Sequence, residues 1–102
     1  MQITYAARDS DFDGHDIHAG EYLALYGGAL FGSNTDITAL LRGLAEKVRE
    51  ENAEFITIYY GADITEEQAE QTVKLFGELC PDAEINLING GQPVYYYLIS
   101  AE

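Results

Sequence analysis

The sequence predicts an α/β (α+β) fold: a mixed sheet of about five to six strands covered by two helices, with the 102 residues forming a single domain. Three observations carry this expectation. Apolar residues recur at helical spacing in two segments, one over 36–51 and one after Thr65. Short runs rich in β-branched and aromatic residues lie around them. Paired glycines at 27–28 and 90–91 fall between such runs and mark turns.

Taken in order, QITYAA (2–7) reads as a strand. EYLALY (21–26) and ALFGS (29–33) flank Gly27 and Gly28 and read as a hairpin, because both glycines tolerate positive φ. In 36–51, Ile37, Leu40, Leu41, Leu44, Ala45 and Val48 make one apolar stripe, with Asn34 or Thr35 able to cap its start. EFITIYY (54–60) is a nearly continuous apolar run of the kind that suits a strand covered on both faces. Thr65 with Gln68 forms a capping box, and Glu66 and Glu67 favour the positive end of the helix dipole. Ala69, Thr72, Val73, Phe76, Leu79 and Cys80 line the buried side of that helix, which Pro81 ends. AEINLI (83–88) is a strand, GGQP (90–93) a turn and VYYYLIS (94–100) a final strand. The order is strand, hairpin, helix, strand, helix, strand, strand. Residues 54–88 form a strand–helix–strand unit whose strands should be parallel.

Composition narrows the function classes. Hydrophobic residues make up 47% and charged residues 23%, which places the chain among folding sequences. No apolar run approaches the length of a membrane span, and no basic-then-apolar leader is visible at the start. Eighteen acidic against five basic residues give a formal charge of −13, so nucleic acid is disfavoured and a basic protein or a cation is the better match. The single cysteine, Cys80, has no internal disulfide partner, in keeping with a cytoplasmic location.

DSDFDGHD (9–16) places Asp9, Asp11 and Asp13 at alternate positions before Gly14, the opening of a helix–loop–helix calcium loop. The match fails further on. Counting from Asp9, Asp16 stands where a branched apolar residue belongs and Gly20 where a bidentate Glu belongs. A strand, not a helix, precedes the loop. The favoured reading is a solvated connection turning at Asp13–Gly14, with Asp9, Asp11 and Asp13 a weak candidate divalent site. His15 and His18 point to opposite sides of an extended chain and make no ligand pair. Cys80 reads as a small buried residue and not a nucleophile. No G-x-S-x-G, G-x-x-x-x-G-K or G-x-G-x-x-G occurs. The eight tyrosines, with Tyr59–Tyr60 and Tyr95–Tyr97 grouped, suit sheet packing and, at strand ends, a docking patch.

Four stretches point further: ITYAARDS, FDGHDIHAGEYLAL, ITIYYGADITEEQAE and PDAEINLINGGQPVYYYLISAE. Over almost the whole chain they resemble the C-terminal domain of the ATP-binding subunit of bacterial fatty-acid kinase, a dihydroxyacetone-kinase-like family related to DegV-like proteins. Arg8, Asp9, Ser10, Asp13, Gly14, Ile17, Gly20 and Tyr22 fit its R-D-T/S, D-G and I-x-x-G-D-Y-like pattern, whereas Asp11 falls outside it. The resemblance implies a fold like part of the DegV-like proteins. It also implies a division of labour, with ATP and magnesium held by an N-terminal domain absent from this chain. No cofactor is expected here. The resemblance further implies that a separate DegV-like protein presents the fatty acid whose carboxylate is phosphorylated, and that this domain is expected to help engage it.

The expectation is therefore a non-catalytic docking domain, with the DegV-like fatty-acid-binding protein and the rest of the parent kinase chain as partners. Arg8, Asp9, Gly90, Gly91, Gln92, Pro93 and Tyr95 are the candidate partner-binding residues. Plain turn chemistry is the competing account of Gly90 to Pro93, and pairing of Arg8 with Asp9 or Asp13 that of the arginine. A small-ligand or lipid-binding module is the alternative, which predicts an enclosed apolar pocket of several hundred Å³.

Overall fold

A computed structural model describes residues 1–6, 8–12, 14–93 and 95–102. Among these the chain forms eight strands and two helices. They are β1 (Gln2–Tyr5), β2 (Ser10–Phe12), β3 (His15–Ile17), β4 (Tyr22–Tyr26), β5 (Ala29–Asn34), α1 (Ile37–Glu50), β6 (Phe55–Tyr60), α2 (Glu66–Leu79), β7 (Glu84–Asn89) and β8 (Tyr97–Ala101). Six strands make one mixed sheet in the order β5-β4-β1-β8-β6-β7, and β2 with β3 makes a small second sheet. The expected strand–helix–strand unit is present, with β6 and β7 paired in parallel from Phe55 opposite Glu84 to Tyr60 opposite Asn89. The other pairs in the large sheet are antiparallel.

Both helices lie on one face of the sheet. Leu40, Leu41, Leu44, Ala45 and Val48 of α1 and Leu75 and Phe76 of α2 pack with Ile3, Ala24, Ile56, Ile58, Tyr97 and Ile99. Burying each large side chain of this set contributes roughly 1.5–3 kcal/mol. The α1 stripe is as the periodicity predicts, with Ile37 half-buried. In α2, Leu75 joins the buried set, while Val73 and Leu79 are half-buried. Cys80 is buried, and its Sγ donates to the Ala45 carbonyl at 3.5 Å. Burial pushes its thiol pKa up, against a smaller opposing pull from Arg49. The Thr65–Gln68 capping box forms, with Thr65 Oγ1 accepting from Gln68 N at 3.1 Å and Gln68 Oε1 from Thr65 N at 2.9 Å. Gly27 and Gly28 both take positive φ in the β4–β5 turn.

Four expectations need correction. The cap of α1 is Asp36, whose carboxylate accepts from Thr38 N, and not Asn34 or Thr35. Asn34 is held as the last residue of β5 by its pairing with Tyr22. β6 is not covered on both faces: Ile56 and Ile58 are buried under the helices, but Phe55 and Tyr59 alternate with them and are exposed. The solvated connection after β1, to which the sequence reading gave no strands, carries two short ones, Ser10–Phe12 paired with His15–Ile17. Ile17 and Phe12 from that hairpin pack with Ala6, Leu23 and Leu30, a second small core on the helix-free side of the sheet. The final strand starts at Tyr97, not at 94, because Tyr95 and Tyr96 are held in a bend by other bonds. The predicted residues Ala7, Asp13 and Val94, and with Asp13 the third aspartate of the calcium-like triplet, lie outside the described residues; Gly14, the other residue of the predicted turn, takes φ 79°.

Candidate functional site

Strand register decides which loops share an end of the sheet. Tyr5 faces Tyr22, Tyr22 faces Asn34, Tyr60 faces Tyr97 and Asn89 faces Tyr60. The carboxyl ends of β1, β5, β6 and β7 therefore lie together with the amino ends of β4 and β8. Both helices also begin there, after Asp36 and Thr65. In sheets with parallel strands, loops at the carboxyl ends are the ordinary place for a binding site. The candidate residues fall on loops at this end in two groups, Arg8 and Asp9 after β1, and Gly90 to Pro93 after β7 with Tyr95 before β8; β8 and β6 lie between β1 and β7 in the sheet.

The GGQP turn is tightly tied. Gly90 N and Gly91 N both donate to the Tyr60 carbonyl, at 3.0 and 3.1 Å. Gly91 has φ 60°, which explains a glycine there. Ala62 N donates to the Gln92 carbonyl at 3.0 Å. The Gln92 side chain reaches back, its Nε2 donating to the carbonyls of Tyr59 and Tyr95 at 3.2 and 3.3 Å. Gly90, Gly91 and Pro93 remain exposed at the surface of this framework, and Tyr95 is half-buried. The amides of Gly90 and Gly91 are satisfied inside the protein, so the turn does not fit as a cradle for the phosphates of ATP.

Gly61, which no motif singled out, is part of the same framework. It is buried, and its N donates to the Tyr96 carbonyl at 2.8 Å. A Cβ at this position would lie 2.3 Å from the Tyr95 carbonyl oxygen and 2.8 Å from that of Gln92. An isolated glycine between Tyr60 and Ala62 is the sequence signal of such close backbone approach.

A three-ring cluster stands beside it. Tyr5 and Tyr96 lie parallel within 7° at 6.3 Å between centroids, and Tyr22 is inclined to them at 5.3 and 5.5 Å. Burial raises the Tyr96 hydroxyl pKa, and Tyr22, Asp63 and Tyr5 add to the rise. Tyr5 and Tyr22 were not readable as members of this group, because residues 5, 22 and 96 meet only through the pairing of β4, β1 and β8.

Asp9 and Arg8 are exposed. Asp9 Oδ1 accepts from Ala19 N at 2.8 Å, which fastens the base of the β2–β3 hairpin, and among the described residues Arg8 forms no ion pair with it. Arg8 borders a cleft of about 290 Å³ between the hairpin and the sheet, lined by Ala6, Phe12, Leu23 and Leu25. Asp11 is exposed and faces Asp16 across the hairpin. Among the described residues, no three His, Cys, Asp or Glu side chains are grouped so as to hold a metal ion. None of the described helices is long and apolar enough to cross a membrane.

Known proteins share this sequence along its length. Protein YloV of Bacillus subtilis is 34% identical over 101 residues, which is 99% of this chain and 18% of that protein. An uncharacterized protein of Staphylococcus haemolyticus is 35% identical over 100 residues, 98% of this chain and 18% of its own length. An uncharacterized Staphylococcus aureus protein is 29% identical over the same extent. The chain thus spans about a fifth of the length of these curated relatives. A family model for the FakA-like fatty acid kinase C-terminal region matches residues 1–102, and the chain belongs to that family.

Proposed function

We propose that this chain is a non-catalytic docking domain of a fatty-acid kinase ATP-binding subunit. It engages a DegV-like fatty-acid-binding protein in the cytoplasm, so that the acyl carboxylate reaches a kinase domain elsewhere in the parent protein. That kinase domain supplies ATP and magnesium. What supports this reading is the exposed GGQP turn, Gly90 to Pro93, with Tyr95 on one end of the sheet, the same end as the loop of Arg8 and Asp9, in a chain of the fatty-acid kinase C-terminal family. The turn at 90–93 is rigidly hydrogen-bonded yet surface-exposed, which favours recognition because little freedom is lost on binding.

Calorimetric titration of the chain with the cognate DegV-like protein tests the reading. Saturable binding supports it. A folded chain that does not bind refutes it.

One observation favours the alternative, a module for a small or lipid carboxylate. The cleft of about 290 Å³ beside Arg8 pairs an apolar lining with a cation. Titration with a short-chain fatty carboxylate, followed by amide chemical shifts of Ala6 and Leu23, separates the two readings.

A further inference from the structure

The helix-free face of the sheet is only half covered. The β2–β3 hairpin packs over Leu23 and Leu30, at the β4 and β5 side. No described element packs over β8, β6 and β7 on that face. Strand register lays out what they present. Leu98, Tyr59 and Ile88 stand side by side in one row, Ser100, Thr57 and Asn86 in the next, and Phe55 beside Glu84 in a third. Phe55 is 51%, Ile88 42% and Tyr59 37% exposed, large apolar side chains that a sheet ordinarily hides. A shallow hollow of about 310 Å³ opens between Tyr59, Leu98, Gln2 and Ser100.

Charge decides what could cover this face. Around Phe55 the chain brings three acidic residues together through backbone bonds. Glu84 N donates to the Glu54 carbonyl at 2.7 Å, and Glu54 N to the Glu102 carbonyl. Of the five basic residues only Arg49 comes near, lining with Asp82 the same hollow as Glu54, Phe55 and Glu84, so the margin keeps an acidic excess; Arg42 and Lys47 on α1, Lys74 on α2 and Arg8 beyond the end of β1 lie elsewhere. A second copy would oppose like charges across the contact, and an anionic lipid surface would be repelled. A basic-rimmed apolar protein surface is complementary.

We infer that the bare face of β8, β6 and β7 is an interaction surface for a partner protein that seats an apolar side chain in the hollow by Tyr59 and Leu98 and sets basic side chains against the acidic margin at Phe55, about 13 Å away along the strands. The inference rests on the docking reading above and extends its contact surface. The two are continuous, because Gly90 lies against Tyr59: a Cβ on Gly90 would be 3.3 Å from the Tyr59 Cβ.

The test is calorimetric titration of the cognate DegV-like protein against the wild-type chain and the variants Tyr59→Ser, Ile88→Ser and Glu84→Lys, with Arg42→Ala on the far side of the helices as the control. All four positions are exposed, and circular dichroism verifies that each variant folds. The expected result is a loss of about tenfold or more in affinity for the two serine variants. Glu84→Lys should bind more weakly and with a reduced dependence on salt, and Arg42→Ala should be unchanged. Wild-type binding with both serine variants within about twofold of it overturns this inference and leaves the docking reading standing. Absence of wild-type binding overturns both. Self-association of the chain that Tyr59→Ser abolishes makes a second copy the occupant and overturns the assignment to a basic partner.

Discussion

Gly61→Ala is the substitution whose cost follows most directly from the backbone geometry. The added Cβ would lie 2.3 Å from the Tyr95 carbonyl oxygen and 2.8 Å from that of Gln92. An acceptable carbon–oxygen contact is about 3.3 Å, so one of these carbonyls must move by about 1 Å. Both are anchored. The Gln92 carbonyl accepts from Ala62 N at 3.0 Å, and the Tyr95 carbonyl accepts from Gln92 Nε2 at 3.3 Å. Gly61 N is itself bonded to the Tyr96 carbonyl at 2.8 Å. Relief of the clash sacrifices two of these bonds, at roughly 0.5–1.5 kcal/mol each, and adds an overpacking cost of roughly 1–3 kcal/mol. A total near 4 kcal/mol lowers the melting midpoint by about 16–32 °C in a domain of this size. Thermal unfolding followed by far-UV circular dichroism measures it. Gly32→Ala is the matched control, since its Cβ would meet only Leu40 Cδ2 at an ordinary 3.6 Å. If Gly61→Ala melts within a few degrees of wild type, the close packing of the 61–65 loop against the GGQP turn is wrong.

Three further outcomes are expected. Tyr97→Phe should cost about 1 kcal/mol by urea denaturation, because the buried Tyr97 and Thr72 hydroxyls are bonded at 2.9 Å. Burial raises the pKa values of both Tyr96 and Tyr97 in the folded chain. Stability is therefore full below the ordinary tyrosine range, about pH 10, and falls as pH rises through the raised folded values, while the unfolded chain is already ionised. Urea midpoints at stepped alkaline pH should show that fall, and Tyr97→Phe should make it shallower. Within α2, Thr65→Ala should cost about 1 kcal/mol by removing the acceptor for Gln68 N, while Gly77→Ala should add roughly 0.5–1 kcal/mol, because its Cβ would only touch Ile85 Cδ1 at 3.8 Å. Melting midpoints of the two variants should move in opposite directions.

Local signals in the sequence located most of the fold. The Thr65–Gln68 box, the α1 stripe and the Gly27–Gly28 turn each have a short-range cause, and each is present in the structure. The misreadings share one source, information that lies outside the local window. Asn34, Thr35 and Asp36 are all competent caps; the pairing of Asn34 with Tyr22 keeps Asn34 in β5, and it is the Asp36 carboxylate that accepts from Thr38 N. Phe55 and Tyr59 made β6 look buried on both faces, since an aromatic residue on an open face carries no local mark of exposure. Strands of three residues, such as Ser10–Phe12, are too short to show a period. At the site, GGQP was legible as a turn, but the reach of Gln92 to Tyr59 depends on β6 lying beside it. The tyrosine cluster of residues 5, 22 and 96 is assembled wholly by strand order.

Strand order also dictates how this chain must be assembled. β5, β4 and β1 form one set of partners and β6 with β7 another, and within the sheet only β8 touches both. A ribosome therefore finishes both halves before it releases the strand that knits them together. Until that keystone arrives, the open edges of β1 and β6 are sticky, and a nascent chain stalled before Tyr97 would be a natural client for chaperones.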